Sequence, residues 1–142
     1  MTKHELSADD RQFRYDFEAC RIPPPAFDHR GHIRLAYTYL VDGNAETALE
    51  SMRSALLAFV RHHGIDVSKY HETITRAWIL AVRHFMEKTP PSESAEAFIA
   101  RNPIMLDSKI MLTHYSVDLL FSPEARARFV EPDLDPIPRH EP

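Results

Sequence analysis

Glycine is scarce in this sequence. Only 3 of the 142 residues are glycine, and neither a G-x-G-x-x-G pattern nor a Walker pattern occurs, which disfavours a loop that cradles phosphate groups. Cysteine is scarcer still, because Cys20 is the only one. An internal disulfide bond and a cysteine-rich zinc site are therefore excluded, and a cytoplasmic location is expected.

Long apolar runs are also missing. The longest, AWILAV at residues 77–82, is far too short to cross a bilayer. The first residues, MTKHELSADDRQ, are charged and have no apolar core, so no signal peptide is expected. With 17 basic and 21 acidic side chains the formal charge is −4, which argues against nucleic acid or an anionic membrane as a partner.

The alternation of apolar and polar residues that marks strands is absent too, so the expected fold class is all-α. Apolar residues instead recur at helical spacing between capping residues and breakers. They predict helices over about 7–21, 28–41, 45–62, 68–88 and 107–121, a short helix that stops before Pro103, and another from Pro123. We expect a single antiparallel bundle of five or six helices over residues 1–130. An irregular, proline-rich tail is expected over 131–142.

Histidine is the residue that the sequence has in excess, with 9 copies. His71 opens the apolar stripe of the predicted helix over 68–88, a stripe that continues to Trp78, so its ring is expected to face the core. His29 and His32 lie in the first turn of the helix over 28–41 and flank its apolar side. In an antiparallel bundle these two helices start at the same end, where the three imidazoles would converge.

Three imidazoles at one place suggest a metal site. Neutral imidazole is the commonest protein ligand for zinc, iron, copper and nickel, and three protein ligands with one open position are typical of catalytic zinc. The sequence therefore predicts a divalent transition metal bound by His29, His32 and His71. His114, on the apolar stripe of the helix over 107–121, is a fourth candidate ligand.

Two polar neighbours of His71 complete the candidate site. Glu72 is expected to be a further ligand or to orient the His71 ring. Thr75 lies one turn above His71. We take Glu72 and Thr75 as the candidate catalytic residues, since a carboxylate that orients an imidazole also serves proton transfer.

Four stretches of the chain, FDHRGH, KYHETITRAW, HYS and SPEARARFVEPDL, resemble a group of small uncharacterised bacterial proteins. That group carries an F-x-H-x-x-H element and a Y-H-E-T-I/L-T element. The resemblance covers residues 27–134 and implies a single bacterial domain in which His29, His32, His71 and Glu72 stand out. It implies no particular reaction.

The sequence leaves three functional interpretations open. The preferred one is a soluble helical protein with a histidine-lined pocket that binds a divalent transition metal and binds or transforms a small molecule. The second is a non-enzymatic helical module for a small ligand or a protein partner, with structural histidines, since a lone histidine on an apolar face is more often a hydrogen-bonded core residue. The third is a metal-free acid–base enzyme. None of the three specifies an oligomeric state.

Overall fold

The computed structural model describes residues 3–140, and within that range the chain is all-helical, without a strand. Seven α-helices occur in residues 3–140: α1 Ala8–Glu18, α2 His29–Val41, α3 Ala45–His62, α4 Glu72–Lys88, α5 Ala95–Arg101, α6 Val117–Leu120 and α7 Pro123–Ala127. Four 3₁₀ segments lie between them: Pro24–Ala26, Val67–Lys69, Pro103–Leu106 and Ser108–Thr113. The helices outnumber the five or six expected, and the antiparallel bundle stays a prediction.

The long helices begin where a side chain can cap them. The Asp28 carboxylate accepts the Gly31 N–H at the start of α2, and Asn44 forms a capping box with Thr47 at the start of α3. Such caps satisfy backbone N–H groups that have no partner within the helix. Gly64, with a φ of 68°, follows the end of α3 in the left-handed conformation that glycine adopts without strain.

The three longest helices, α2, α3 and α4, pack against one another and carry most of the core. Helix α1 lies against α2 and α3, α5 against α2, and α7 against α4. Two fully buried tyrosines find backbone partners: Tyr37 donates to the Glu5 carbonyl at 2.7 Å and Tyr115 to the Val130 carbonyl at 2.6 Å. Among residues 3–140, no helix combines the length and apolar character needed to cross a membrane.

The continuous helix expected over 107–121 is wrong. The 3₁₀ segment Ser108–Thr113 ends at His114, and α6 begins only after Ser116. Two side chains start separate elements here: Asp107 accepts the Lys109 N–H, and Ser116 accepts the Leu119 N–H. Side chains that bond nearby backbone groups in this way compete with continuous helix.

The start of α4 also differs from the expectation. Ser68, the first residue of the helix predicted over 68–88, lies inside the 3₁₀ segment Val67–Lys69, whose own cap is Asp66. Helix α4 begins at Glu72, and its N-cap is His71. His71 therefore precedes the helix rather than lying in its first turn.

The C-terminal segment, 131–140, has no regular helix, but it packs onto the domain. Ile137 is buried in the same core cluster as the long helices. The Asp133 carboxylate accepts the Ser116 N–H at 2.8 Å, and the Leu134 N–H donates to the His114 carbonyl at 2.9 Å. The irregular segment therefore lies against the helical body.

Cys20 follows α1 with a φ of 60°, a left-handed conformation that costs a residue with a Cβ about 1 kcal/mol. We expect Cys20→Gly to raise the free energy of unfolding by about 0.5–1 kcal/mol, since glycine removes that strain but is more flexible when unfolded. Urea unfolding measures the change. Cys20→Ala, which keeps the Cβ and removes the thiol, should give no gain; an equal gain in both variants would place the effect in the thiol.

Candidate functional site

A cavity of about 680 Å³ opens among α2, α3, α4 and the 3₁₀ segment Ser108–Thr113. Its volume falls within the range of about 300–1,000 Å³ that is typical of small-molecule sites. Most of its wall is apolar and aromatic, with Phe27, Met52, Phe59, Ile74, Trp78 and Leu120 among the lining residues. The cavity is therefore suited to an apolar molecule.

All three histidines predicted to converge line this one cavity: His29 and His32 from the start of α2, and His71 from the start of α4. The other polar residues of the wall are Asp28, Lys69, Tyr70, Thr75, Ser108 and Lys109. Lys69 and Lys109 are exposed, so they lie where the cavity opens to solvent.

Both ring nitrogens of His71 are committed to the backbone. Nδ1 accepts the Ile74 N–H at 3.1 Å, which is the N-cap bond of α4, and Nε2–H donates to the Leu120 carbonyl at 2.8 Å. This pattern requires the neutral ring with its proton on Nε2. Burial lowers the pKa of His71 below its ordinary value. His71 thus ties the start of α4 to the end of α6.

His29 and His32 each commit one nitrogen. His29 Nε2–H donates to the Met105 carbonyl at 2.8 Å, and His32 Nδ1–H donates to the Asp28 carbonyl at 3.0 Å. Because a carbonyl only accepts, the proton of each neutral ring is on the bonded nitrogen. Within residues 3–140 neither His29 Nδ1 nor His32 Nε2 has a hydrogen-bond partner, and neither is a buried unsatisfied atom.

Aromatic neighbours hold the two rings in place. His29 meets Trp78 edge to face with ring centroids 4.7 Å apart, and His32 lies against Phe27 with centroids 4.1 Å apart. Phe27 in turn packs on Phe59 of α3. The imidazoles are therefore part of an aromatic wall with defined orientations.

Glu72 does not orient His71 as the sequence suggested. Its carboxylate accepts two hydrogen bonds from Arg53 of α3, at 2.9 and 2.5 Å, and one from the Tyr70 hydroxyl at 2.7 Å. The bonds from Arg53 are the main reason why the pKa of Glu72 lies below its usual range. Glu72 is therefore ionised at neutral pH, and it positions Tyr70 at the cavity wall.

Thr75 and His114 also differ from their expected roles. Thr75 lines the cavity, but its hydroxyl donates to the His71 carbonyl one turn earlier, at 2.8 Å. His114 is not among the lining residues; its Nδ1–H donates to the Asp135 carbonyl at 2.7 Å. His114 thus holds the C-terminal segment.

The described residues offer no ready cluster of ligands for a metal ion. No group of three His, Cys, Asp or Glu side chains that could hold one occurs in residues 3–140. Of the three predicted ligands, only His29 and His32 have a free nitrogen, and His71 would have to release at least one of its two backbone contacts to coordinate. Binding of zinc, iron, copper or nickel stays a prediction.

Sequence reasoning missed the roles of two residues in and near the site. The sequence pattern places Arg53 on the exposed face of the helix over 45–62. No neighbouring residue indicates that the Arg53 side chain would bond to Glu72. Trp78 reads as ordinary core, although it also lines the cavity. The aromatic residues at helical spacing were the available signal, but packing and pocket lining share that pattern.

Comparisons with known proteins give no relative for this chain. No protein-family model matches it, and neither a curated protein nor a solved structure matches it significantly. The resemblance to small bacterial proteins therefore stays an expectation, and function rests on the geometry of the cavity.

Proposed function

We propose that this protein binds a small, predominantly apolar molecule in the cavity among α2, α3 and α4. The cavity itself carries the proposal, because its volume of about 680 Å³ and its aromatic wall suit such a ligand. Burying apolar ligand surface there contributes about 25 cal/mol per Å² before the costs of association.

Binding is proposed rather than acid–base catalysis by Glu72 and Thr75, because both of these candidate catalytic residues are already engaged. Glu72 accepts from Arg53 and Tyr70, and Thr75 donates to its own helix. A general base needs a group free to reach the proton that it removes. In this proposal the protein acts as a binding module, and metal binding, a cytoplasmic location and a bacterial source remain expectations from the sequence.

The proposal is tested by a nuclear magnetic resonance titration with 2-naphthol. Trp78 is the only tryptophan of the chain, so the protein gives one indole N–H resonance, and this reporter lies at the cavity wall. We expect 2-naphthol to shift the Trp78 indole signal saturably. The melting temperature should rise with ligand concentration, because a ligand that binds only the folded state stabilises it.

Filling the cavity provides the matched comparison. Thr75→Phe places a phenyl ring in the cavity and removes the bond to the His71 carbonyl; it should weaken 2-naphthol binding by about tenfold or more, since the ring displaces apolar contact. Val117→Phe, at a residue 57% exposed and outside the cavity wall, should leave binding unchanged. No saturable shift at Trp78, or equal binding by Thr75→Phe, would end the proposal.

Titration with zinc in the same experiment tests the metal hypothesis separately from the binding of an organic ligand. Zinc that shifts the Trp78 signal at one equivalent, and loses this effect in His71→Asn, would establish the predicted ligand set. Saturable binding of 2-naphthol with no response to zinc would leave the cavity as a site for an organic ligand alone.

A further inference from the structure

We propose that His29 and His32 select, for this cavity, ligands that carry a hydrogen-bond donor such as a hydroxyl or N–H group. The inference rests on the proposed function and adds the chemical class of the ligand. It makes the two histidines specificity-determining residues rather than core histidines or metal ligands.

Three donors of the cavity wall are already engaged. The Tyr70 hydroxyl donates to Glu72, the Thr75 hydroxyl to the His71 carbonyl, and His71 Nε2–H to the Leu120 carbonyl. A ligand acceptor could pair with one of these three donors only by breaking its existing bond. Each is made with a partly or fully buried group, so breaking it would leave a protein atom unsatisfied.

Two histidines of the wall each keep one free acceptor. His32 Nδ1–H is fixed on the Asp28 carbonyl, so the lone pair of Nε2 is the unused site of that ring. His29 Nε2–H is fixed on the Met105 carbonyl, which leaves Nδ1 as the unused site. The two residues are three apart in the first turn of α2 and line the same cavity, so their rings lie on neighbouring parts of one wall.

Burial keeps the His32 acceptor available at neutral pH. Loss of solvation is the largest cause that lowers the pKa of His32, and the nearby His29 acts in the same direction. The ring is therefore neutral at pH 7.5, with its Nε2 lone pair unprotonated.

The two lysines of the wall offer the competing possibility of an anionic ligand. Lys69 and Lys109 are exposed at the opening, where a charged pair gains little because both groups are hydrated and screened. The donor-bearing ligand is favoured because the acceptors of His29 and His32 are held in fixed orientations by the backbone and by Trp78 and Phe27.

Two substitutions remove the free ring nitrogens, keep the donors to the backbone and place the remaining acceptor, the amide oxygen, at a different position. Asparagine reproduces the donor at Nδ1, so His32→Asn retains the bond to the Asp28 carbonyl and lacks Nε2. Glutamine reproduces the donor at Nε2, so His29→Gln retains the bond to the Met105 carbonyl and lacks Nδ1. His114→Asn is the matched control, because His114 also donates through Nδ1 and lies outside the cavity wall.

The probes are 2-naphthol and 2-methylnaphthalene, which have the same shape and differ in the donor. The dissociation constants of both probes are measured by calorimetry at pH 7.5. In their ratio the contribution of the shared apolar contact cancels. We expect the preference for 2-naphthol to fall about fivefold in His32→Asn or in His29→Gln, the size of one net hydrogen bond. His114→Asn should retain the wild-type ratio within about twofold.

Three other results would overturn the donor inference. An unchanged ratio in every folded histidine variant overturns the donor inference and leaves the proposed function standing. Tighter binding of 2-naphthoate than of 2-naphthol also overturns it, because the lysines would then select the ligand. If the wild-type protein binds none of the three compounds, the proposed function fails as well. Circular dichroism of each variant verifies the fold, and one folded histidine variant is sufficient for the test.

Discussion

His71→Ala is expected to lower the free energy of unfolding by about 2–4 kcal/mol. Loss of an N-cap costs about 1 kcal/mol, and the Ile74 N–H loses its partner at the start of α4. The Leu120 carbonyl, in a residue only 2% exposed, is left without its buried donor, which adds about 1–3 kcal/mol. Urea unfolding followed by circular dichroism measures the loss.

His71→Asn separates the two contributions. Asparagine is a good N-cap, so its side-chain oxygen can accept the Ile74 N–H, but it is too short to replace the bond to Leu120. The variant should lose about half as much stability as His71→Ala. His62→Ala, at an exposed histidine near the end of α3, is the control and should cost less than about 0.5 kcal/mol.

The pH dependence of stability provides an independent check on His71. Its pKa is lower in the folded protein than in the unfolded chain, mainly because the ring is buried, so the unfolded chain binds the proton more readily. The stability that the neutral ring contributes is therefore complete above about pH 7 and is lost as the pH falls below about 6.5. Wild type should lose more stability between pH 7 and pH 5 than His71→Asn does.

Other results would change the role that is assigned to His71. A loss below about 0.5 kcal/mol in His71→Ala, together with the same pH dependence as wild type, would show that the two backbone bonds are not made in solution. His71 would then be free to bind a metal, as the sequence suggested. A large loss that zinc does not alter in either protein would identify His71 as a structural residue that joins α4 to α6.

The long helices were predictable because their signals are local. Helix α2 begins after Asp28 and α3 after Asn44, as the capping residues indicated, and α3 ends at His62 before Gly64. The apolar stripes of these helices lie within a single stretch of sequence. A cap, a stripe and a terminating glycine need no information about the rest of the chain.

The region from His114 to the C-terminal segment was not predictable in this way. Its conformation depends on partners far along the chain: the Tyr115 hydroxyl reaches the Val130 carbonyl, and the Ser116 N–H reaches Asp133. Apolar residues at helical spacing suggested a continuous helix there. Long-range hydrogen bonds overrode that pattern, and a single sequence does not reveal them.

For the candidate site, sequence reasoning located the residues but not their bonds. The topological argument placed His29, His32 and His71 together, and all three line the cavity. Their ring nitrogens, however, bond to the carbonyls of Met105, Asp28 and Leu120, which no spacing rule can identify. These bonds change the chemical expectation from three free ligands to two oriented acceptors and one helix cap.

Asp10→Ala is expected to lower the free energy of unfolding by about 3 kcal/mol, because one buried carboxylate joins three elements. Asp10 is 1% exposed. It accepts the Ser7 N–H at 3.1 Å in the capping box of α1, the Ala95 N–H at 2.9 Å at the start of α5, and Arg34 Nε of α2 at 3.1 Å.

The Ala95 N–H dominates this cost. Ala95 is fully buried, so water cannot replace the missing acceptor, and an unsatisfied buried N–H costs about 1–3 kcal/mol. Loss of the capping box adds about 1 kcal/mol. Arg34 contributes less, because its side chain is 31% exposed and regains water when its partner is removed.

Asp9→Ala is the matched control for Asp10. Asp9 is the neighbouring acid in the first turn of α1, but it is exposed, so its removal should cost only about 0.5 kcal/mol through the helix dipole. Chemical denaturation of both variants measures the difference. If Asp10→Ala costs no more than Asp9→Ala, then α5 does not dock through this carboxylate. A large difference would show that α1 holds α5 against α2, and hence helps to keep the Pro103–Leu106 segment, with Met105, over His29.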